Sequence, residues 1–330
     1  MTKQISFWPM LIYVLTLDGV FDTGLAALQD CFAVADHISR SEDGGFGGIS
    51  VVRVGVGGEV RTAHGLNVPV CPALDLEPPD VVVVAALGAK TPEALSEIFE
   101  RQDVARATQL LWRWKKAGAT IAAACTGTFI LAEAGILDGK VSTTSWWLGP
   151  FFRSRYPAIE LDDSRMLISS GNVITAGAAL AHFDLALWII RRSSPSVASL
   201  AARYLIAEPG FSQSKYVIPN HLAINDPLVE RFDAWARTNL SSGLSLQAAA
   251  KAIGASPRTL ARRTKHVLGK TPLAHIQSLR IERAVHLLQT TKDSTETIAT
   301  TVGYKDSVTL RTLLRRKLGR SAGDIRKLKI

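Results

Sequence analysis

The sequence predicts an α/β domain, a parallel sheet sandwiched between helices, followed by an all-α domain carrying two helix-turn-helix units. Three observations lead there. Across roughly the first 190 residues, short apolar runs alternate with segments of helical spacing, the pattern of a helix-covered parallel sheet. Beyond Pro227 the strand pattern stops and apolar residues recur at three and four. Charge divides at nearly the same place: residues 1–220 hold 18 Lys+Arg against 21 Asp+Glu, net −3, and residues 221–330 hold 20 against 8, net +12. A domain that basic suits a polyanion, usually nucleic acid, although a solvated basic face is the plainer alternative.

Met10–Leu17 reads as a buried strand, and Gly24–Ala35 as a helix placing Leu25, Leu28 and Phe32 on one face. Ile49–Val56 and Val60–Leu66 have strand character, and Pro79-Asp80 introduces Val81–Ala86 as a central strand. Thr91-Pro92 opens a helical segment with Leu95, Ile98 and Phe99 and later Leu110, Leu111 and Trp114. Thr120–Ala124 is the next strand; Val141–Thr144, Met166–Ser169 and Val173–Thr175 continue the series, and Ala178–Ile190 closes it as an apolar helix. Ser193-Ser-Pro-Ser, Pro209-Gly, Pro219-Asn and Asp226-Pro227 punctuate the next stretch of chain. The expected organisation is therefore 1–195 for the α/β domain, 196–227 for a connector with a helix near Ser196–Leu205, and 228–330 for the helical domain.

Composition removes several classes. With 47% apolar and 20% charged residues the chain is neither disordered nor collagen-like. Apolar runs such as Pro9–Leu17 fall far short of the ~20 residues of a membrane span, and the start shows no signal-peptide pattern. Cys31, Cys71 and Cys125 give neither a disulfide framework nor metal-ligand spacing. A reducing cytoplasm is the expected home, with no membrane, metal or cofactor.

Two segments of the helical domain share one plan. Ser245 is placed to cap a helix with Leu246, Ala249, Ala250 and Ile253 on one face, Gly254 permits a tight turn, and Ser256-Pro257 opens a second helix through Val267. Leu260 and Val267 point inward there, leaving Arg258, Arg262 and Lys265 outside. The plan repeats as Thr295–Val302, Gly303, and a helix capped by Asp306 or Ser307 and running through Leu318. In that helix Leu310, Leu313 and Leu314 face inward while Thr312, Arg315 and Arg316 face out. A helix-turn-helix lays its second helix in the major groove, where arginine pairs with guanine and lysine mainly serves phosphates.

Within Leu246–Lys327, the runs Ala255-Ser-Pro-Arg-Thr-Leu-Ala-Arg-Arg, Gly269-Lys-Thr-Pro, Arg280-Ile-Glu-Arg-Ala, Leu287-Leu, Ile298-Ala-Thr-Thr-Val-Gly-Tyr and Leu318-Gly-Arg-Ser resemble the AraC/XylS DNA-binding domain. The resemblance implies two helix-turn-helix units, joined by a helix near Pro272–Leu288, reading successive major grooves of a double-stranded DNA operator. Carried over by position, Arg258, Ala261 and Arg262 are base-proximal in the first unit, and Ser307, Val308 and Thr312 in the second. Lys265, Arg311, Arg315 and Arg316 complete the DNA-facing set. Thr264 and Leu314 stand where the family often has an aromatic, and Thr312 where it often has arginine. The second unit is therefore expected to position more than discriminate.

In the first domain, Thr120–Ala124 ends in Cys125-Thr-Gly and passes directly into a helix over Thr128–Ala134. Small neighbours allow a strained turn and a helix N-terminus lowers a thiol's pKa, so this reads as a nucleophile elbow. A small buried cysteine in a tight turn is the alternative. The run from Ala123-Ala-Cys-Thr-Gly to Lys140-Val-Ser-Thr-Thr-Ser-Trp, with Asp22 and the Thr175-Ala-Gly and Asp184-Leu-Ala-Leu segments, resembles the PfpI-like branch of the class I glutaminase superfamily. That resemblance implies a flavodoxin-like parallel-sheet sandwich. Ahead of an AraC-type module, it implies a transcription regulator whose hydrolase-like domain senses a small molecule, with Asp22, Cys125, Thr126 and Ser145 in the effector pocket.

Both usual base positions are empty: Thr126 and Ser145 stand where relatives carry histidine, and Ala85-Ala-Leu-Gly lacks the Pro-Gly-Gly associated with an oxyanion-binding amide. Of the domain's histidines (His37, His64 and His182), His182 reads as a core residue. His64, on an expected hairpin, reads as a surface or structural residue, with approach to the pocket as the alternative. No catalytic residue is therefore assigned; if there is one, it is Cys125 with Asp22. Gly44-Gly-Phe-Gly-Gly and Gly55-Val-Gly-Gly open no helix and are not phosphate loops. Trp112, Trp114, Trp146, Trp147 and Trp188 suit core packing or a cage for a cationic metabolite.

The expected protein is a cytoplasmic, nucleoid-associated homodimer that binds an operator, a small effector (amino-acid-like or a quaternary amine) and RNA polymerase. Leu228–Leu240 and Glu93–Lys116 are candidate dimer surfaces. The rivals are a Cys125-dependent hydrolase or hydratase with an accessory DNA-binding domain, and a sequence-neutral architectural DNA binder.

Overall fold

Four consecutive valines, Val81–Val84, lie at the centre of a sheet because both of their faces are covered. The computed structural model describes residues 9–41, 47–205, 226–241, 245–318 and 320–327. Most of the expected connector, residues 44–46 of the glycine-rich loop and Gly319 lie outside them. The chain divides into two compact units, Met1–Ser214 and Lys215–Ile330, each with hydrophobic cores of its own.

The first unit runs β1 (Met10–Leu15), α1 (Asp22–Ser41), β2 (Ile49–Gly55), β3 (Glu59–Arg61), β4 (Asn67–Pro69), β5 (Cys71–Pro72), β6 (Val81–Val84), α2 (Pro92–Phe99), α3 (Gln102–Lys116), β7 (Thr120–Ala124) and α4 (Gly127–Glu133). It continues through β8 (Val141–Ser142), a 3-10 turn at Trp146–Leu148, α5 (Gly149–Arg155), β9 (Glu160–Leu161), β10 (Leu167–Ser170), β11 (Val173–Ala176), α6 (Ala181–Ser193) and α7 (Pro195–Tyr204). Seven strands form one sheet in the order β10-β11-β7-β6-β1-β2-β5, in which β10 alone runs antiparallel. Side chains alternate across it: Ile12 and Val14 join the core under α1, α6 and α7, whereas Tyr13 and Leu15 join the core under α2 to α5. The strand order reverses between β1 and β6, so the carboxyl ends of these strands form the topological switch point, the place where open α/β sheets generally bind ligands.

Four expectations need correction. Val60–Leu66 is a hairpin, not a strand: the carboxylates of Asp18 and Asp22 take the amides of Arg61 and His64, and Gly65 turns the chain at φ +89°. The segment after Thr91 is two helices, interrupted where Arg101 adopts extended backbone and pairs with Asp103. The expected connector helix, α7, belongs to the first unit, because Val197, Ala198 and Ala201 are buried against α1 and α6. Neither candidate dimer surface is free on its apolar side either: Leu95, Leu110, Leu111 and Trp114 fill one core, and Val229, Phe232 and Ala236 are buried in the second unit.

The second unit contains α8 (Pro227–Thr238), α9 (Leu246–Ala252), α10 (Pro257–Leu268), α11 (Pro272–Thr290), α12 (Thr295–Thr301), α13 (Ser307–Leu318) and α14 (Ala322–Lys327). Caps start these helices where the sequence places them. Ser245, Ser256, Thr271 and Ser294 accept amide hydrogen bonds from the third residue beyond at 3.0–3.2 Å, and Asp306 accepts from Thr309 N at 2.7 Å. Each such cap is worth ~1 kcal/mol. Gly254 and Gly303 make the two turns at φ +70° and +90°. Phe232, Leu240, Ala249, Leu260, Ile276 and Leu279 belong to one core, and Ile281, Ala284, Ile298, Leu310 and Leu314 to the other. Helix α11 thus serves both. A buried pair ties α8 to α11: His275 Nε2 lies 2.7 Å from Asp233 Oδ1. Burial would raise the Asp233 carboxyl, but the His275 and Arg237 hydrogen bonds hold it below its ordinary value. Among the described residues, no helix is long and apolar enough to cross a membrane.

His182 is a core histidine. Its Nε2 accepts from Ala86 N at 3.4 Å and its Nδ1 donates to Ala179 O at 2.6 Å, which selects the Nδ1–H tautomer. Burial pushes its pKa down to about 4. The folded state therefore refuses a proton that the unfolded chain accepts near 6.5, so this contribution to stability is complete above that value and is lost as pH falls towards about 4. The expected loss is ~3 kcal/mol across that window. Urea unfolding followed by tryptophan fluorescence reads it, since six of the seven tryptophans precede residue 206. His182→Gln should flatten the slope between pH 6.5 and 4; an unchanged slope would assign the acid sensitivity elsewhere.

Candidate functional site

Cys125 is the one non-glycine residue at positive φ among the described residues, at 54°. Left-handed backbone costs an L-residue on the order of 1–2 kcal/mol, so the surroundings must hold it. Its N–H donates to Ala176 O at 2.9 Å, and its carbonyl accepts from the Thr144 hydroxyl at 2.8 Å. Gly127 completes the passage into α4, because a Cβ there would lie 2.6 Å from the Val84 carbonyl oxygen. The result is the elbow expected from the sequence.

The groups around the thiol are hydroxyls and committed amides. Cys125 is buried, and its Sγ lies 2.8 Å from Ser145 Oγ, a hydroxyl that cannot serve as a general base at neutral pH. Burial pushes the thiol's pKa up, and the opposing Ser145 and Thr126 hydrogen bonds do not reverse it. The lowering expected from the helix N-terminus is therefore not realised. Three successive amides beyond β6 are also occupied: Ala86 N donates to His182 Nε2, Leu87 N to Thr126 Oγ1 and Gly88 N to Gly19 O. An oxyanion finds no donor among them.

Asp22 and Cys125 lie at the same edge of the sheet but belong to different networks. Asp22 Oδ1 accepts from the Thr62 hydroxyl at 2.6 Å, while Oδ2 faces His64 Nδ1 at 2.8 Å and accepts from His64 N at 3.2 Å. Burial acts to raise the Asp22 carboxyl, and the Thr62 and His64 hydrogen bonds bring it below its ordinary value. No hydrogen bond joins Asp22 to Cys125 among the described residues. Thr126 instead clasps the end of β6, its hydroxyl accepting from Leu87 N and donating to Leu87 O. Sequence reasoning thus found Cys125, Thr126 and Ser145 together but missed Thr62 and the hold of His64 on Asp22. The hairpin carrying His64 is expected from the sequence, with approach to the pocket as the lesser alternative; its contact with Asp22 realises that alternative.

The tryptophan cage does not form from the five residues proposed for it. Trp114 is buried edge-to-face against Tyr13, and Trp112 donates to Ala134 O with Lys115 over its ring. Trp188 packs with the core on the opposite face of the sheet, under Arg192. Trp146 and Trp147 meet edge-to-face in the 3-10 turn. No cluster of three or more His, Cys, Asp or Glu among the described residues is placed to hold a metal.

In the second unit, α10 exposes Arg258, Arg262 and Lys265 and half-exposes Ala261. Helix α13 exposes Val308, Arg311, Thr312, Arg315 and Arg316. Ser307 is the exception: at 6% exposure it is buried, on the same face as Leu310 and Leu314. Arg263, itself exposed, pairs inward, its guanidinium 2.7 Å from the carboxylate of Asp226, which is 2% exposed and also caps α8 through Leu228 N and Val229 N.

Residues 10–192 match the DJ-1/PfpI family, and residues 249–328 match a helix-turn-helix domain. The chain belongs to the DJ-1/PfpI family, with an AraC-type DNA-binding domain at its C-terminal end. It is similar to the HTH-type transcriptional regulator GlxA of Rhizobium meliloti, with 26% identity over 278 residues covering 82% of each chain. It also resembles the HTH-type transcriptional regulator CdhR of Pseudomonas aeruginosa, with 24% identity over 258 residues, 76% of this chain and 73% of that one. A solved candidate transcriptional regulator from Vibrio parahaemolyticus shares the fold of the first unit, with a TM-score of 0.51 and 17% identity over 60% of this chain and 99% of that one.

The three thiols should separate in a native titration with a disulfide reagent. Cys71 is partly exposed and should react fast, whereas Cys31, whose pKa burial pushes up to about 12, and buried Cys125 should react only after unfolding. Loss of the fast phase in Cys71→Ser confirms the assignment, and fast labelling that survives it until Cys125→Ser would contradict the closed site.

Proposed function

We propose that the protein is a cytoplasmic, sequence-specific transcriptional regulator whose DJ-1/PfpI unit senses a small molecule without turning it over. The carrying observation is the pair of capped helix-turn-helix units, each with its apolar face buried and its basic face exposed. DNA is the polyanion that such a face suits. Arg258 and Arg262, one helical turn apart on α10, reach guanine edges, and the arginines of α13 hold phosphates. Regulation requires an effector that binds two arrangements of the protein unequally. The effector is amino-acid-like or a quaternary amine, and it meets the first unit at the carboxyl edge of the sheet by Asp22, where buried Cys125, Thr126 and Ser145 must open to admit it. A homodimer bound near the nucleoid and contacting RNA polymerase completes this reading.

The enzymatic alternative is disfavoured by the site itself. A Cys125 hydrolase needs a thiolate, a base and an oxyanion donor; here the thiol is raised, its neighbour is Ser145, and the amides beyond β6 are committed. A hydratase pairing Asp22 with Cys125 would have to break the Thr62 and His64 contacts first.

Two measurements test the proposal. Arg258→Ala and Arg262→Ala should each weaken binding to a selected duplex by ~1–3 kcal/mol, while Ser307→Ala leaves base preference unchanged; the reverse pattern would refute the placement of the reading face. In a thermal-shift screen of amino acids and quaternary amines, a ligand at a hundredfold its Kd adds about 2.7 kcal/mol of stability. It should be recovered unchanged from wild type. Consumption by wild type but not by Cys125→Ala would make the first unit an enzyme.

A further inference from the structure

Helix α11 passes from one core of the second unit to the other, with Leu279 in the first and Ile281 in the second. Arg280 stands between them, half-buried. Its Nε donates at 3.1 Å to the carbonyl of Leu240, just beyond the end of α8, in the core of the first helix-turn-helix. Its guanidinium also covers the ring of Tyr304 at 5.4 Å, and Tyr304 is the buried residue that follows the turn of the second helix-turn-helix. Gly303, within that turn, is pressed into the same point. A Cβ there would lie 2.1 Å from the Leu240 oxygen and 2.6 Å from the guanidinium. The end of α8, the linker helix and the second turn therefore meet at one joint, and Arg280 is the side chain common to all three.

We infer that Arg280 is a positioning residue that fixes the separation and phase of the two recognition helices, making the spacing between two DNA boxes part of what the protein reads. The inference rests on the DNA-binding reading of the second unit. A helix joining two small cores can bend or twist between them. A planar cation, hydrogen-bonded on one side and stacked on the other, resists both motions. One inserted base pair rotates the second box by ~35° about the duplex and shifts it by ~3.4 Å. A stiff joint cannot follow that displacement, whereas a loose one can.

The test uses the full chain and a duplex recovered from a random pool by selection on wild type. Variants of that duplex carry one base pair inserted or deleted between the boxes, or a single box alone. Wild type should lose at least roughly tenfold in affinity on either spacing change, comparable to one mismatched contact. Arg280→Met keeps an apolar stem and removes the guanidinium. It should bind the native spacing several-fold more weakly, the altered spacings more tightly than wild type does, and the single box unchanged. Gly303→Ala, which forces the joint apart from its other side, should give the same pattern. Retention of the wild-type spacing preference by both variants overturns the inference, as does an equal loss on every duplex. Failure of wild type to enrich any sequence would instead bring down the DNA-binding reading beneath it.

Discussion

The left-handed turn at Cys125 is the constraint on which the functional edge of the first unit depends. A strand ends and a helix begins within two residues, so the chain must turn more sharply than ordinary backbone allows. Every group around the turn is recruited to hold it. Ala176 of β11 takes the Cys125 amide, Thr144 binds the carbonyl, and Gly127 leaves room for the carbonyl of Val84. Thr126, drawn tight against β6, then consumes the Leu87 amide. The turn that presents a nucleophile in enzymes of this architecture here draws its neighbours into a closed polar network. Strain at such a site persists because the surrounding bonds offset it.

The second unit faces a different physical problem. Half of a double helix-turn-helix module is too small to close a stable core by itself. Sharing α11 between two cores addresses this, and α8 and α14 cover the outer flanks. With its stability drawn from shared apolar helices and side-chain caps, the unit can leave Arg258, Arg262, Arg311, Arg315 and Arg316 outside. The excess of positive charge is then carried on a scaffold that does not need those side chains for packing.

Much of this was legible from residue order. Val81–Val84, Thr120–Ala124 and the paired Ser-cap, glycine-turn, basic-helix plans depend on local periodicity and capping, which sequence carries directly. The errors arose where distant groups decided the outcome. Val60–Leu66 alternates like a strand, but carboxylates some forty residues away take its amides and fold it back. The helix around Val197 looks like a linker helix until α1 and α6 supply its partner surface. Ser307 lies at the start of a recognition helix, yet the rotation of that helix, set by Leu310 and Leu314, turns it inward. The thiol of Cys125 followed the same logic. A helix terminus beside it is visible in sequence, while the burial that outweighs it is a property of the whole edge.

Asp226 has a consequence for how the second unit comes together. Its carboxylate faces two ways, towards the first amides of α8 and towards Arg263 on α10, and it is almost wholly shielded from water. A shielded carboxylate deprived of its cation is costly, so α8 cannot settle fully while α10 is unformed, and α10 gives up one arginine to make α8 settle. The reading head of the first helix-turn-helix and the helix that leads into it therefore stand or fall as one cooperative piece, with no stable half-assembled surface to meet DNA prematurely.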